Sequence, residues 1–117
     1  MNVSPADAVR RLDERLSNRS SEDLSAEAEA RALLPHLART LMEQGARRVV
    51  LFGSLANGTF RRSSDIDLAV AGLSEDRLAQ LEHLLTLRAG RLVELANLET
   101  MATSLRENVA RFGVDLS

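Results

Sequence analysis

The chain predicts an α/β (α+β) domain, a small mixed β-sheet with helices packed on it. Three observations predict it. Short apolar runs suited to strands, around Val49-Val50-Leu51, Asp65 to Ala71 and Val93-Glu94-Leu95, alternate with stretches whose leucines recur at helical spacing. A Gly-Ser pair, Gly53-Ser54, closes the first run. Two aspartates, Asp65 and Asp67, alternate with Ile66 and Leu68 in the second. A length of 117 residues allows one domain with one modest core, and 44% hydrophobic with 27% charged residues is an ordinary globular balance.

The elements follow in order. Ser4-Pro5-Ala6-Asp7 is a helix start, with a capping Ser, Pro at the first helical position and an acid in the first turn. Val9, Leu12 and Leu16 continue it at helical spacing, which predicts a short amphipathic helix over about 5 to 16. Polar Ser17 to Asp23 reads as a linker, so the expected division is a helix and linker over 1–24 and the domain over 25–117. A second helical stretch starts near Ser25, and Pro35 is expected to break, kink or restart it. From Pro35 to Gln44 the helix turns Leu34, Leu37 and Leu41 inward and stops at Gly45.

Arg47 to Phe52 is the first strand and Ser54 to Asn57 a short helix. Phe60 to Ser64 is a loop that Ser64 orders, and Asp65 to Ala71 is the second strand. Ser74 caps a helix to about Leu87, with Glu75 and Asp76 in its first turn and Leu78, Leu81, Leu84 and Leu85 as its apolar stripe. Gly90 ends that connection, and Arg91 to Leu95 is the third strand. Ser104-x-x-Glu107 is a capping box for a last helix that Gly113 stops.

Composition excludes several function classes. No apolar run approaches the roughly 20 residues that span a bilayer, and the N-terminus carries no signal-peptide core. Without Cys there are no disulfides, no thiolate chemistry and no Cys-based zinc sites, which fits a cytoplasmic protein. A net charge of −2 does not suit a nucleic-acid coat, so no direct nucleic-acid or membrane partner is expected. The basic residues are all Arg, and Tyr and Trp are absent. His36 and His83 fall on predicted helices without a partner at metal-ligand spacing.

The chemistry lies in the two motifs. On an extended segment Asp65 and Asp67 share one face, because strand side chains alternate. Adjacent carboxylates are costly unless a cation lies between them. Mg²⁺ suits the position, since it takes one or two carboxylates and completes its shell with phosphates and water. Gly53 lets the backbone approach a phosphate, and Ser54 adds a hydroxyl and an amide. Together these residues describe a metal-dependent site for a nucleoside triphosphate.

Gly53-Ser54, Ala56-Asn57-Gly58 and Ser64-Asp65-Ile66-Asp67-Leu68 resemble the signature of the DNA polymerase beta superfamily, and within it the minimal nucleotidyltransferase (MNT) domains. The resemblance runs from about Leu33 to the C-terminus and includes the tail from Leu105 to Gly113. It implies a polymerase-beta-type core in which Asp65 and Asp67 are metal ligands and Gly53 and Ser54 bind the β- and γ-phosphates. It also implies a third acid on the neighbouring strand that completes the metal site and activates the attacking hydroxyl, and Glu94 stands at that position as the third metal ligand, one methylene longer than the family's Asp. Asn57 replaces the Arg found in many MNT domains. Arg61 and Arg62, on the following loop, either supply that cation to the phosphates or are solvated.

The implied reaction is Mg²⁺-dependent transfer of AMP from ATP to a hydroxyl. The chain has no room for a separate acceptor domain, so the resemblance points to the MNT antitoxins, which pair with a HEPN toxin, a small helical ribonuclease. The acceptor would then be a toxin tyrosine. Two alternatives stand beside this. One is a catalytically weak or inactive module that neutralises a toxin by binding, favoured by Glu94 and Asn57. The other is a stand-alone small-molecule nucleotidyltransferase working as a homodimer rather than in a hetero-oligomer.

Overall fold

The computed structural model of the protein describes residues 19–117. The helix expected over 5 to 16 lies outside the described residues.

Helix α1 (Ser21–Glu43) starts four residues earlier than its leucine pattern suggested. Ser20 is the reason: its hydroxyl accepts the Asp23 N–H at 3.1 Å, and the Asp23 carboxylate accepts the Ser20 N–H at 3.0 Å. This reciprocal pair satisfies donors that a helix start otherwise leaves orphaned. The polar stretch expected to be linker is thus helical from Ser21. Pro35 does not interrupt α1 either. An interior Pro costs a helix about 3 kcal/mol. Ala26, Ala30, Leu34, Leu37, Ala38 and Leu41 are buried along one face, and that packing offsets the cost.

The remaining elements are β1 (Arg48–Phe52), α2 (Ser54–Asn57), β2 (Ile66–Ala71), α3 (Glu75–Ala89), β3 (Val93–Asn97), α4 (Thr103–Phe112) and β4 (Val114–Asp115). Three details differ from expectation. Leu84 is exposed, because Leu78, Leu81 and Leu85 alone face the sheet from α3. Helix α4 begins at Thr103 behind Ala102, with no side-chain cap from Ser104. β4 is an added strand of two residues, too short to show a period.

The sheet order is β3-β2-β1-β4. β1 is antiparallel to β2 and β4, whereas β2 and β3 are parallel. The mixed sheet is the expected one. Its two faces differ. Val49, Leu51, Ile66, Leu68, Val70, Val93 and Leu95 pack with α1 and α3 into the main core. The opposite face carries a smaller cluster, Val50, Ala69 and Val109 of α4, with Phe52, Leu98 and Met101 against it. Strand alternation puts Asp65, Asp67 and Glu94 on this second face.

Candidate functional site

Three strands contribute a row across the second face. Phe52 pairs with Asp67 in the β1–β2 register, and Asp67 pairs with Glu94 in the β2–β3 register. Asp65 lies one step before β2, half-buried, and Glu94 is exposed at the edge of the sheet. The sequence-predicted acids therefore meet.

Their proximity has an electrostatic cost. Burial pushes the Asp67 carboxyl up to about 7, helped by a hydrogen bond with Glu94 and by the negative charges of Glu94 and Asp65. Asp67 thus keeps its proton well above the usual carboxylate range. A cation would relieve the same repulsion. Among the described residues no group of three His, Cys, Asp or Glu side chains is already gathered for a metal ion. Mg²⁺ does not require one, since it needs one or two protein carboxylates and takes its other ligands from phosphate and water. Asp65 and Asp67 fit that demand.

Gly53 brings the turn against these acids. It has φ 75° and ψ −155°, a region open essentially to Gly alone. A Cβ built on it would stand 2.3 Å from Oδ2 of Asp67. The turn backbone therefore lies directly on the carboxylate, and only Gly permits it. Gly53, not Ser54, is the N-cap of α2, without a side-chain cap hydrogen bond.

Arg61 and Arg62 are placed differently. Arg62 donates its N–H to Asp23 at 2.9 Å and its guanidinium to Glu22 at 2.5 Å. Arg61 makes an ion pair with Asp23 at 3.8 Å. Both arginines thus contact the start of α1. The N–H groups of Arg62 and then Ser20 hold Asp23 below the usual carboxylate range. The Ser64 hydroxyl accepts the Arg61 N–H at 2.9 Å, so Ser64 does order this loop.

Further residues hold the site's loops, and spacing alone did not reveal them. Arg91 donates to the carbonyls of Arg62 and Ser64, each at 2.7 Å, and lies 4.9 Å above the Phe60 ring. Arg31 donates to Leu55 O at 2.8 Å, and Arg19 to Phe60 O at 3.3 Å. Both also pair with Glu27. Burial pushes Glu27 up, yet its bonds from Arg19 and Arg31 outweigh that and hold it below the usual range.

A cleft of about 410 Å³ opens beside the turn, lined by Phe52, Gly53, Ala56, Asn57, Asn108 and Phe112. Asn57, from the Ala-x-Gly motif, faces it while its Oδ1 accepts the Thr59 N–H at 3.1 Å.

This architecture can be set beside known proteins. Residues 36–116 match the family profile described as Polymerase beta, Nucleotidyltransferase. The chain belongs to that nucleotidyltransferase family. Among solved structures, a protein described as a minimal nucleotidyltransferase is 32% identical, with TM-score 0.65 over 75% of this chain and 93% of that one. A toxin–antitoxin structure with AMP-PNP is 28% identical, with TM-score 0.64 over 71% of this chain and 72% of that one. A Shewanella oneidensis complex of a tri-AMPylated HEPN toxin with its MNT antitoxin shares the fold at 24% identity, with TM-score 0.58 over 74% and 71%. No curated protein matches the chain. Among the described residues of this nucleotidyltransferase-family chain, no helix is long and apolar enough to cross a membrane.

Proposed function

We propose that the protein is a nucleotidyltransferase that moves AMP from ATP to a tyrosine hydroxyl of a HEPN-type toxin, and so acts as its antitoxin. The observation that carries the reading is the seat of Asp67: its carboxylate lies against the Gly53 turn, in register with Glu94 and one alternation from Asp65. Phosphate-binding turn and acids are thereby one site. The 28%-identical toxin–antitoxin structure with AMP-PNP supports the nucleotide and the class of partner.

Asp65 and Asp67 would hold Mg²⁺, and Gly53 and Ser54 the β- and γ-phosphates. Bound Mg²⁺ supplies charge neutralisation for the triphosphate and the departing pyrophosphate. The acceptor oxygen attacks the α-phosphorus, an O–P bond forms, and the bond to the β-bridging oxygen breaks. Glu94 takes the hydroxyl proton as general base, a role worth about 10²–10⁴-fold. Its exposure at the sheet edge leaves it reachable by an acceptor from another chain. Its extra methylene, and Asn57 in place of an Arg, favour a second reading, in which the fold silences the toxin by occlusion alone.

The test combines protein, cognate toxin, Mg²⁺ and α-labelled ATP. Label on a toxin tyrosine, lost with Asp65→Ala/Asp67→Ala, is the expected result. A toxin silenced in the complex without label, equally by parent and variant, would overturn transfer and establish occlusion.

A further inference from the structure

Strand β3 carries Glu94, yet it is an edge of the sheet and pairs with β2 alone. An edge strand leaves a row of backbone groups without a ladder partner. On β3 the even-numbered residues turn theirs toward β2. Leu92 O accepts the Ile66 N–H at 3.0 Å, and Leu98 donates its N–H to Val70 O at 2.9 Å. Val93 and Leu95, on either side of Glu94, therefore turn their N–H groups outward.

Both outward groups are taken by side chains of α3. The Glu82 carboxylate accepts the Leu95 N–H at 2.9 Å. The Thr86 hydroxyl accepts the Val93 N–H at 3.0 Å and donates to Val93 O at 3.5 Å. The spacings of helix and strand match. Four residues of a helix advance about 6 Å, and two residues of a strand advance about 6.6 Å. One flank of α3 thus grips two successive outward N–H groups at once. Glu82 and Thr86 are half-buried, and each directly follows a core leucine, Leu81 or Leu85. The packing that seats α3 in the core therefore also fixes the two grips. A bond from a backbone N–H to a carboxylate is charge-assisted and stronger than a neutral one.

We propose that Glu82 and Thr86 are positioning residues for the transfer site: they hold β3 from its open side, so that Glu94, between the two gripped amides, keeps its place opposite Asp67. The proposal rests on the transfer reading, in which Glu94 takes the acceptor proton. It adds what keeps an exposed residue of an edge strand in a fixed position. The ladder to β2 holds β3 along one side only, and the α3 grips oppose its twisting about that side. A displacement of about 1 Å in a catalytic constellation can cost roughly 100-fold.

The test uses the full chain with cognate toxin, Mg²⁺ and α-labelled ATP, at a temperature where every variant is folded. Glu82→Ala and Thr86→Val remove the acceptors, whereas Glu82→Gln and Thr86→Ser keep them. Each removal is expected to lower kcat by about 10-fold, the effect of a displacement well under 1 Å, with KM for ATP and for toxin within about threefold. Each conservative variant is expected to restore kcat to within about threefold of the parent. Amide hydrogen exchange of the chain without metal or nucleotide gives a second readout. Leu95 should lose protection in Glu82→Ala and Val93 in Thr86→Val, while Leu51 of β1 keeps its own. Lost protection with unchanged kcat would overturn the proposal and leave the bonds as a guard on the sheet edge. A Glu82→Gln variant as slow as Glu82→Ala would overturn it too, by assigning the effect to the charge of Glu82. So would a kcat loss that persists in a Glu94→Ala background, where no carboxylate remains to be placed. These failures leave transfer dependent on Asp65 and Asp67 standing, whereas no label on the toxin with the parent protein would remove the transfer reading and this proposal together.

Discussion

Replacing Gly53 by Ala separates the chemistry of the site from its stability. The new Cβ would stand 2.3 Å from Oδ2 of Asp67, where ordinary contact begins at 3.4 Å, so about 1 Å of displacement is required. The struck atom is the free end of a side chain. Asp67 yields by rotating, and the main penalty falls on its position. A misplacement of about 1 Å in a catalytic constellation can cost on the order of 100-fold. The backbone at φ 75° and ψ −155° adds strain of roughly 1–3 kcal/mol. In a domain of this size that lowers Tm by roughly 5–20 °C. Gly58→Ala is the control, since it also has positive φ, 82°, but its Cβ meets nothing within 4 Å. The assay is AMP transfer from α-labelled ATP at a temperature where all variants are folded, with thermal melts alongside. Gly53→Ala is expected to lose about two orders of magnitude, and Gly58→Ala to retain most activity. Turnover of Gly53→Ala within about threefold of the parent would refute the idea that the close approach to Asp67 is why the turn carries Gly.

Other outcomes follow from the same geometry. With its folded pKa raised from 3.8 to about 7, Asp67 gives the native state an extra proton between those values. Metal-free stability should therefore fall as pH rises through that window. Melts from pH 4 to 8 should show that decline in the parent and a flatter profile in Asp67→Asn, while Mg²⁺ should raise the parent's Tm most at the alkaline end. Glu94→Gln should lower transfer by about 100-fold or more if Glu94 is the base, with ATP affinity within about threefold in calorimetry. Ser20→Ala removes the acceptor for the Asp23 N–H. It should cost about 1 kcal/mol, typical of a lost N-cap, in chemical denaturation.

Much of the fold was legible because periodicity reports burial. Asp65 to Leu68 alternates, so the strand character and the face of its two acids could be read, while Ala69 is buried on that second face as well. Leucine spacing misplaced what tertiary packing decides. Leu84 lies beside the buried stripe of α3 but remains exposed, and a helix packed along much of its length absorbs Pro35. The start of α1 was missed because its capping box uses Asp23 rather than the longer Glu or Gln. The shared face of Asp65 and Asp67 was legible from alternation, and the place of Glu94 beside them from the resemblance. The cleft was not. Phe52, Asn57 and Asn108 come from β1, α2 and α4, and no spacing rule ties an Asn on one element to a Phe on another. The anchoring of Arg61 and Arg62 on α1 was equally invisible, since it joins residues about 40 positions apart.

The contrast between the two sheet faces bears on how such a chain changes over generations. Most of the burial lies on the side packed by α1 and α3, whereas the acids and the cleft lie on the other. A drift at Glu94 or Asn57 therefore alters reactivity with little penalty to folding. A lineage can lose or retune its chemistry step by step, keep the scaffold, and leave descendants whose value is adhesion alone. The same separation lets an experimenter vary the exposed Glu94 and Asn57 while the main core stays as it is.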